Sequence, residues 1–128
     1  MSEVDIKKCS AVFSHITRSH SEEKKIRPRV LREEFPGEIR YHIEMPGVDP
    51  SSIKVEKCGN QLIINAAMKK SIQVPCLSGV SNVEGYSLRL NIPAGVEDIQ
   101  AEFTKHDILV IRVRYKKETT EKIEVKFV

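Results

Sequence analysis

The side chains able to do chemistry in this 128-residue chain are few and scattered. The four histidines (His15, His20, His42 and His106) share no spacing that would converge on a metal, and the H-E-x-x-H helix pattern does not occur. Cys9, Cys58 and Cys76 are odd in number and far apart, with no C-x-x-C pair, so neither a zinc site nor a redox couple is indicated. Free thiols in a reducing compartment are the simpler reading. The nucleophile elbow G-x-S-x-G, the P-loop and the dinucleotide-binding G-x-G-x-x-G are all missing, so an ATP-driven cycle would lack its phosphate cradle. His42 falls on the polar face of an alternating stretch and reads as a surface residue rather than a ligand. No carboxylate pair stands out from a solvated charged surface. The sequence therefore assigns no catalytic, cofactor-binding or metal-binding residue, and enzyme activity is not expected.

Charge narrows the partners. The net charge of +3 comes from 21 basic and 18 acidic side chains, interleaved so that residues 1–64 carry +1 and residues 65–128 carry +2. Nucleic-acid binding calls for a clustered basic face, which this distribution does not supply. A hydrophobic fraction of 40% with 30% charged residues suits one folded domain able to bury a core. Met1-Ser2-Glu3-Val4-Asp5 lacks the plan of a signal peptide. No apolar run approaches the roughly 20 residues that span a bilayer. A cytoplasmic protein with no membrane partner is expected.

The elements that must position any site follow from periodicity. Val4, Cys9, Val12, Phe13 and Ile16 fall at roughly helical spacing, which admits a short amphipathic helix in an arm over residues 1–26; a frayed terminus without a role fits equally. From Arg27 the period becomes two. Ile39, Tyr41, Ile43 and Met45 share one face of a strand that Pro46-Gly47 ends. Ser51–Lys57 alternates again with Ile53 and Val55 inward, Gly59-Asn60 turns, and Gln61–Asn65 completes a hairpin. Lys69–Gly85 is poorly patterned, with a short strand admitted at Ser71–Val74. Tyr86–Ile92, a short strand through Ile99, Ala101 and Phe103, and Ile108–Arg114 follow. Short strands without crossover helices predict an all-β, immunoglobulin-like two-sheet β-sandwich over residues 27–115, followed by an extension over 116–128.

Three ordered landmarks resemble the α-crystallin domain of small heat-shock proteins. Ile43-Glu44-Met45-Pro46-Gly47-Val48 with Ile53-Lys54-Val55-Glu56 is similar to the family's strand, "lPGv" turn and "i-k-V" strand. Leu62-Ile63-Ile64-Asn65-Ala66-Ala67 resembles "L-v-I-s-G-e". Leu90-Asn91-Ile92-Pro93-Ala94-Gly95-Val96, then Ile99–Phe103 and Ile108-Leu109-Val110-Ile111, track the long C-terminal signature. The resemblance covers about residues 28–125. Asp107 stands where the family has a turn glycine, and Asp tolerates the left-handed backbone such a turn requires. Ala66 replaces a second glycine. Leu88 takes the place of the arginine of animal crystallins, and Arg89 beside it faces the other way, so that arginine's role is not carried over.

The resemblance implies a chaperone that holds unfolding proteins without ATP and works as a homodimer and higher oligomer. Ile123-Glu124-Val125 matches the family's "I-x-I/V" tail motif: two β-branched side chains two residues apart lie on one face of an extended segment. An edge strand of the chain's own sandwich is the other reading of Ile123–Phe127. The implied receiving groove is Ile53 and Val55 with Ile99, Ala101 and Phe103, residues that plain core would also explain. Val12, Phe13 and Ile16 would contact clients. Ile72 and Val74 would form the dimer strand, pairing with Arg29–Glu33 of another subunit. The rival function is a CS-domain-like co-chaperone or adaptor that binds one folded partner, and a component that only assembles is a third.

Overall fold

The computed structural model describes residues 2–9, 24–77 and 79–116. In chain order the strands are β1 (Ser2–Val4), β2 (Ile6–Lys8), β3 (Lys25–Ile26), β4 (Arg29–Phe35), β5 (Glu38–Glu44), β6 (Lys54–Cys58), β7 (Gln61–Cys76), β8 (Gly79–Asn91), β9 (Val96–Phe103) and β10 (Ile108–Tyr115). They make two five-stranded sheets, ordered β1-β9-β10-β5-β4 and β2-β6-β7-β8-β3. This is the expected all-β sandwich.

Alternation places the core. Ile39, Tyr41 and Ile43 of β5 point inward and pair in register with Val113, Ile111 and Leu109 of β10, three side chains with no exposed surface. In the other sheet Leu62, Ile64 and Ala66 of β7 face Leu90, Leu88 and Tyr86 of β8. The two inner faces form one buried cluster. Each fully buried aliphatic side chain contributes about 1.5–3 kcal/mol relative to exposure. Leu88 is buried and Arg89 lies on the exposed side, as strand alternation requires.

The turn after β5 is tied down from two sides. Met45 and Val48 are buried while Gly47 takes a left-handed φ of 77°. The Tyr86 hydroxyl donates to the Pro46 carbonyl at 2.6 Å. Burial, reinforced by the charge of Asp107, raises the pKa of this phenol. Asp107 has a φ of 60°, so it adopts the backbone of the glycine it replaces, and its carbonyl accepts from the Met45 N–H at 2.9 Å.

Three local expectations change. Pro50–Ser52 is one 3-10 turn whose Asp49 cap accepts from the Ser51 N–H, so β6 begins at Lys54. The third strand does not end at Asn65: β7 and β8 continue as a long hairpin through the stretch that looked unpatterned. The short strand expected at Ser71–Val74 is part of β7, and exposed Ile72 and Val74 show why the rest of the hairpin gave little signal, since cross-strand pairing rather than burial forms those arms. Finally, residues 2–8 are two strands, not a helix. They belong to different sheets, with β1 antiparallel to β9 and β2 parallel to β6.

The cysteines also depart from expectation. Cys9 and Cys58 form a disulfide with a Cα separation of 5.3 Å, within the range such bonds require. The Cys9 N–H donates to the Lys57 carbonyl, so backbone pairing past the end of β2 brings the two thiols together. Forty-nine residues separate them, a distance at which sequence spacing carries no signal.

Candidate assembly groove

Two strands next to the sheet ends build the site. Val55 in β6 pairs with Ile64 of β7 on one side and Ile6 of β2 on the other. Ala101 in β9 pairs with Ile111 of β10 on one side and Val4 of β1 on the other. The structure thus brings the five predicted groove residues to one flank of the sandwich. Ile53, Val55, Ala101 and Phe103 are buried in the common core, and Ile99 is partly buried against it.

The flank is filled by the chain's own N-terminus. Val4 and Ile6 both pack against the core, while Asp5 between them is exposed and marks the step from one sheet to the other. The clefts beside this segment are lined by Ile99, Gln100, Ala101 and Glu102 on the β9 side and by Ile53, Lys54, Val55 and Glu56 on the β6 side. In register, Glu3 stands opposite Glu102, Lys7 opposite Glu56, and Lys8 opposite Lys57. Val4, Ile6, Cys9 and Cys58 are the residues that sequence reasoning missed. A signal existed for two of them: Val4-Asp5-Ile6 repeats the β-branched, acidic, β-branched pattern of Ile123-Glu124-Val125.

The other candidates divide. Ile72 and Val74 lie on the hairpin with about half and two-fifths of their surface exposed (48% and 39%), near the fully exposed Leu77 and the exposed Val80. Arg29–Glu33 belongs to β4, which pairs with β5 on one side and, among the described residues, ends its sheet on the other. Leu31 and Phe35 are exposed there. The arm residues Val12, Phe13 and Ile16 and the tail residues Ile123 and Val125 lie outside the described residues.

His42 is on the outer face, its Nε2 2.6 Å from the Glu33 carboxylate. Burial tends to raise the Glu38 carboxyl pKa, but hydrogen bonds and charge from Arg40 and Arg114 prevail and lower it. These are surface ion pairs on one sheet rather than a reactive cluster. Among the described residues no group of three or more His, Cys, Asp or Glu side chains is gathered to hold a metal. No helix among them is long and apolar enough to cross a membrane.

Comparison with known proteins agrees with this architecture. Solved structures with the same fold include heat shock protein 16.0 from Schizosaccharomyces pombe (19% identity, TM-score 0.55, covering 80% of this chain and 100% of that one). A point variant of hsp14.1 from Sulfolobus solfatataricus aligns at 18% identity and TM-score 0.59, over 90% of this chain and 99% of the other. A small heat-shock protein from Xylella fastidiosa aligns at 23% identity and TM-score 0.56, over 78% and 96% of the two chains. No curated protein sequence matches the chain. The family model for Hsp20/alpha crystallin proteins matches residues 32–127, from the first long strand through the tail motif, and the chain accordingly belongs to the Hsp20/alpha crystallin family of small heat-shock proteins.

Proposed function

We propose that this chain is an ATP-independent holdase: it binds unfolding proteins through apolar surface and works as an oligomer built from dimers. The observation that carries the reading is the flank between β6 and β9, where the core accepts an extended segment with β-branched side chains two residues apart. A tail with that spacing, Ile123-Glu124-Val125, is the matching ligand from a neighbouring subunit. Dimer contact falls to the end strand β4, with Leu31 exposed, and to Ile72 and Val74 on the hairpin of another copy. Client contact falls to Val12, Phe13 and Ile16 in the arm over residues 1–26, ahead of the sandwich over 27–115 and the extension over 116–128. Such contacts draw on removal of apolar surface from water, at about 25 cal/mol per Å². No enzyme activity, cofactor or nucleic-acid partner is assigned. A cytoplasmic site of action suits this role, with the Cys9–Cys58 bond then a responsive rather than a permanent one.

The test is suppression of light scattering by an aggregating client at elevated temperature, without nucleotide. Suppression at substoichiometric subunit ratios is expected. A requirement for ATP, or suppression no better than that of an inert protein at equal mass, would show the reading to be wrong. A monomer at all concentrations would favour the adaptor reading instead.

A further inference from the structure

The two segments Val4-Asp5-Ile6-Lys7 and Ile123-Glu124-Val125-Lys126 share one pattern: β-branched, acidic, β-branched, lysine. The first of these is seated on the flank where the second is expected. We infer that the groove between β6 and β9 is a peptide site held in cis by Val4-Asp5-Ile6, that the Cys9–Cys58 disulfide latches this segment in place, and that a thiol reductant opens the groove to Ile123-Glu124-Val125 of another subunit. The inference rests on the groove serving assembly, as proposed above.

Register shows why the seated segment needs a latch. Glu3 faces Glu102 across the β1–β9 ladder, and Lys8 faces Lys57 across β2–β6. Like charges directly opposite one another weaken strand pairing. The only favourable charge pair in these registers is Lys7 with Glu56. Seating the tail in the same register places Ile123 at the Val4 position, Lys122 opposite Glu102, Lys126 opposite Glu56 and Phe127 opposite Lys57. Both repulsions disappear and the good pair is kept. The tail is thus the better ligand for this groove, and the N-terminus holds it through connectivity.

The backbone gives that connectivity in either redox state, and the disulfide shortens the tether from 49 residues to a direct link. Cys9 follows β2 directly, three residues beyond Ile6, so the closed bond confines Ile6 beside Val55. The shorter tether raises the effective concentration of the segment at the groove over that of the reduced chain, whose longer connection holds it less closely. Both cysteines are partly exposed, within reach of a small thiol. Opening proceeds by exchange: a reductant thiolate attacks one sulfur, forms a mixed disulfide and expels the other cysteine as thiolate, and a second thiolate resolves the mixed species. Cys9 and Cys58 gain two electrons and two protons in total, and the reductant leaves as its own disulfide. Reoxidation by a disulfide of the same class recloses the latch once Val4 and Ile6 have reseated.

The experiment uses the full chain with Cys76→Ser, which removes the third thiol, and a fluorescein-labelled peptide of residues 119–128 read by anisotropy. The oxidised protein is expected to bind this peptide about tenfold or more weaker than the same protein treated with dithiothreitol. Adding Cys9→Ser should abolish the redox difference, and Val4→Asp/Ile6→Asp should bind tightly in both states, with circular dichroism confirming an intact sandwich. Peptide mapping without reductant should recover the Cys9–Cys58 link. Failure to find that link after oxidation, or equal binding in both redox states with no gain from Val4→Asp/Ile6→Asp, overturns the latch while leaving the groove reading intact. Absence of peptide binding to every variant, including Val4→Asp/Ile6→Asp, overturns the groove reading together with the latch.

Discussion

Among the glycines Gly85 has the least room for a side chain, and replacing it by Ala tests the packing argument directly. Its φ lies outside the left-handed region, so turn freedom is not the reason for glycine here. The reason is space. A Cβ at this position would overlap the Ala66 carbonyl oxygen and lie 3.2 Å from both the Ala66 carbonyl carbon and the Ala67 Cα. These are backbone atoms of the neighbouring strand, paired through Ala67↔Gly85 and Ala66↔Tyr86, so no side chain can swing aside. On the other side Lys25 of β3 pairs with Gly85, which blocks retreat in that direction. The β7–β8 ladder also slips here: five steps along β7, from Ala67 to Ile72, match two along β8, from Gly85 to Val83.

Accommodating one methyl group therefore means forcing the strands apart. Overpacking of this kind costs about 1–3 kcal/mol. One or two ladder hydrogen bonds would be lost with it, at about 1 kcal/mol each. A total of about 2–5 kcal/mol is a large share of the roughly 5–15 kcal/mol that holds a typical domain together. For a chain of this length that corresponds to a fall in Tm of about 6–15 °C. Urea denaturation followed by circular dichroism measures it, at fixed protein concentration because assembly feeds into apparent stability. A loss within about 0.5 kcal/mol, the range of an ordinary surface substitution, would refute the reasoning and mean that β7 and β8 stand apart at this joint in solution.

Two further outcomes are expected. Ile123→Ala with Val125→Ala should reduce the assembly to small particles, chiefly dimers by light scattering, with an unchanged β-type circular dichroism spectrum; unfolding would instead place that segment in its own sandwich. Ile72→Pro should convert dimers to monomers by sedimentation without loss of the core, since Ile72 lies beyond the ladder slip; an unchanged dimer would move the contact to the outer edge of Tyr86–Ile92, which Ile26 covers in part.

The parts of the fold that bury one face were legible in the sequence. Ile39, Tyr41 and Ile43, or Leu109, Ile111 and Val113, announce a strand because every second side chain must leave water. Of the hairpin arms only the short alternation Ser71–Val74 was legible; the length of the hairpin and the arm through Val80 were not, because exposed residues there leave little for alternation to record. The five residues proposed to form a groove were legible as inward positions, all on β9 or in and just before β6. The occupant of that groove was not. Val4 falls with Cys9, Val12, Phe13 and Ile16 at helical spacing. The strand alternation of Val4 with Ile6 spans too short a window to compete with it, and only the sheets they join decide between the two. The Cys9–Cys58 bond was beyond reach for the same reason, since it follows from β2 pairing with β6 and not from spacing.

The four sheet ends explain why assembly should proceed in two grades. Three of them, β1, β2 and β3, are only two or three residues long, and short end strands offer little to a foreign chain. The fourth, β4, runs seven residues with Leu31 exposed along it. An end strand of that length, without an outer partner among the described residues, is a template for strand addition. The long hairpin of the same molecule carries exposed Ile72 and Val74 in extended form, so two copies can satisfy each other reciprocally through β4 and the hairpin. A tail motif presents two side chains to a flank whose cis ladders are only three residues each, whereas a β4 contact offers up to seven. Dilution should therefore dissolve the tail contacts first and leave the β4 contacts standing. On the proposed reading the dimer should be the unit that persists, with the groove setting how many dimers gather.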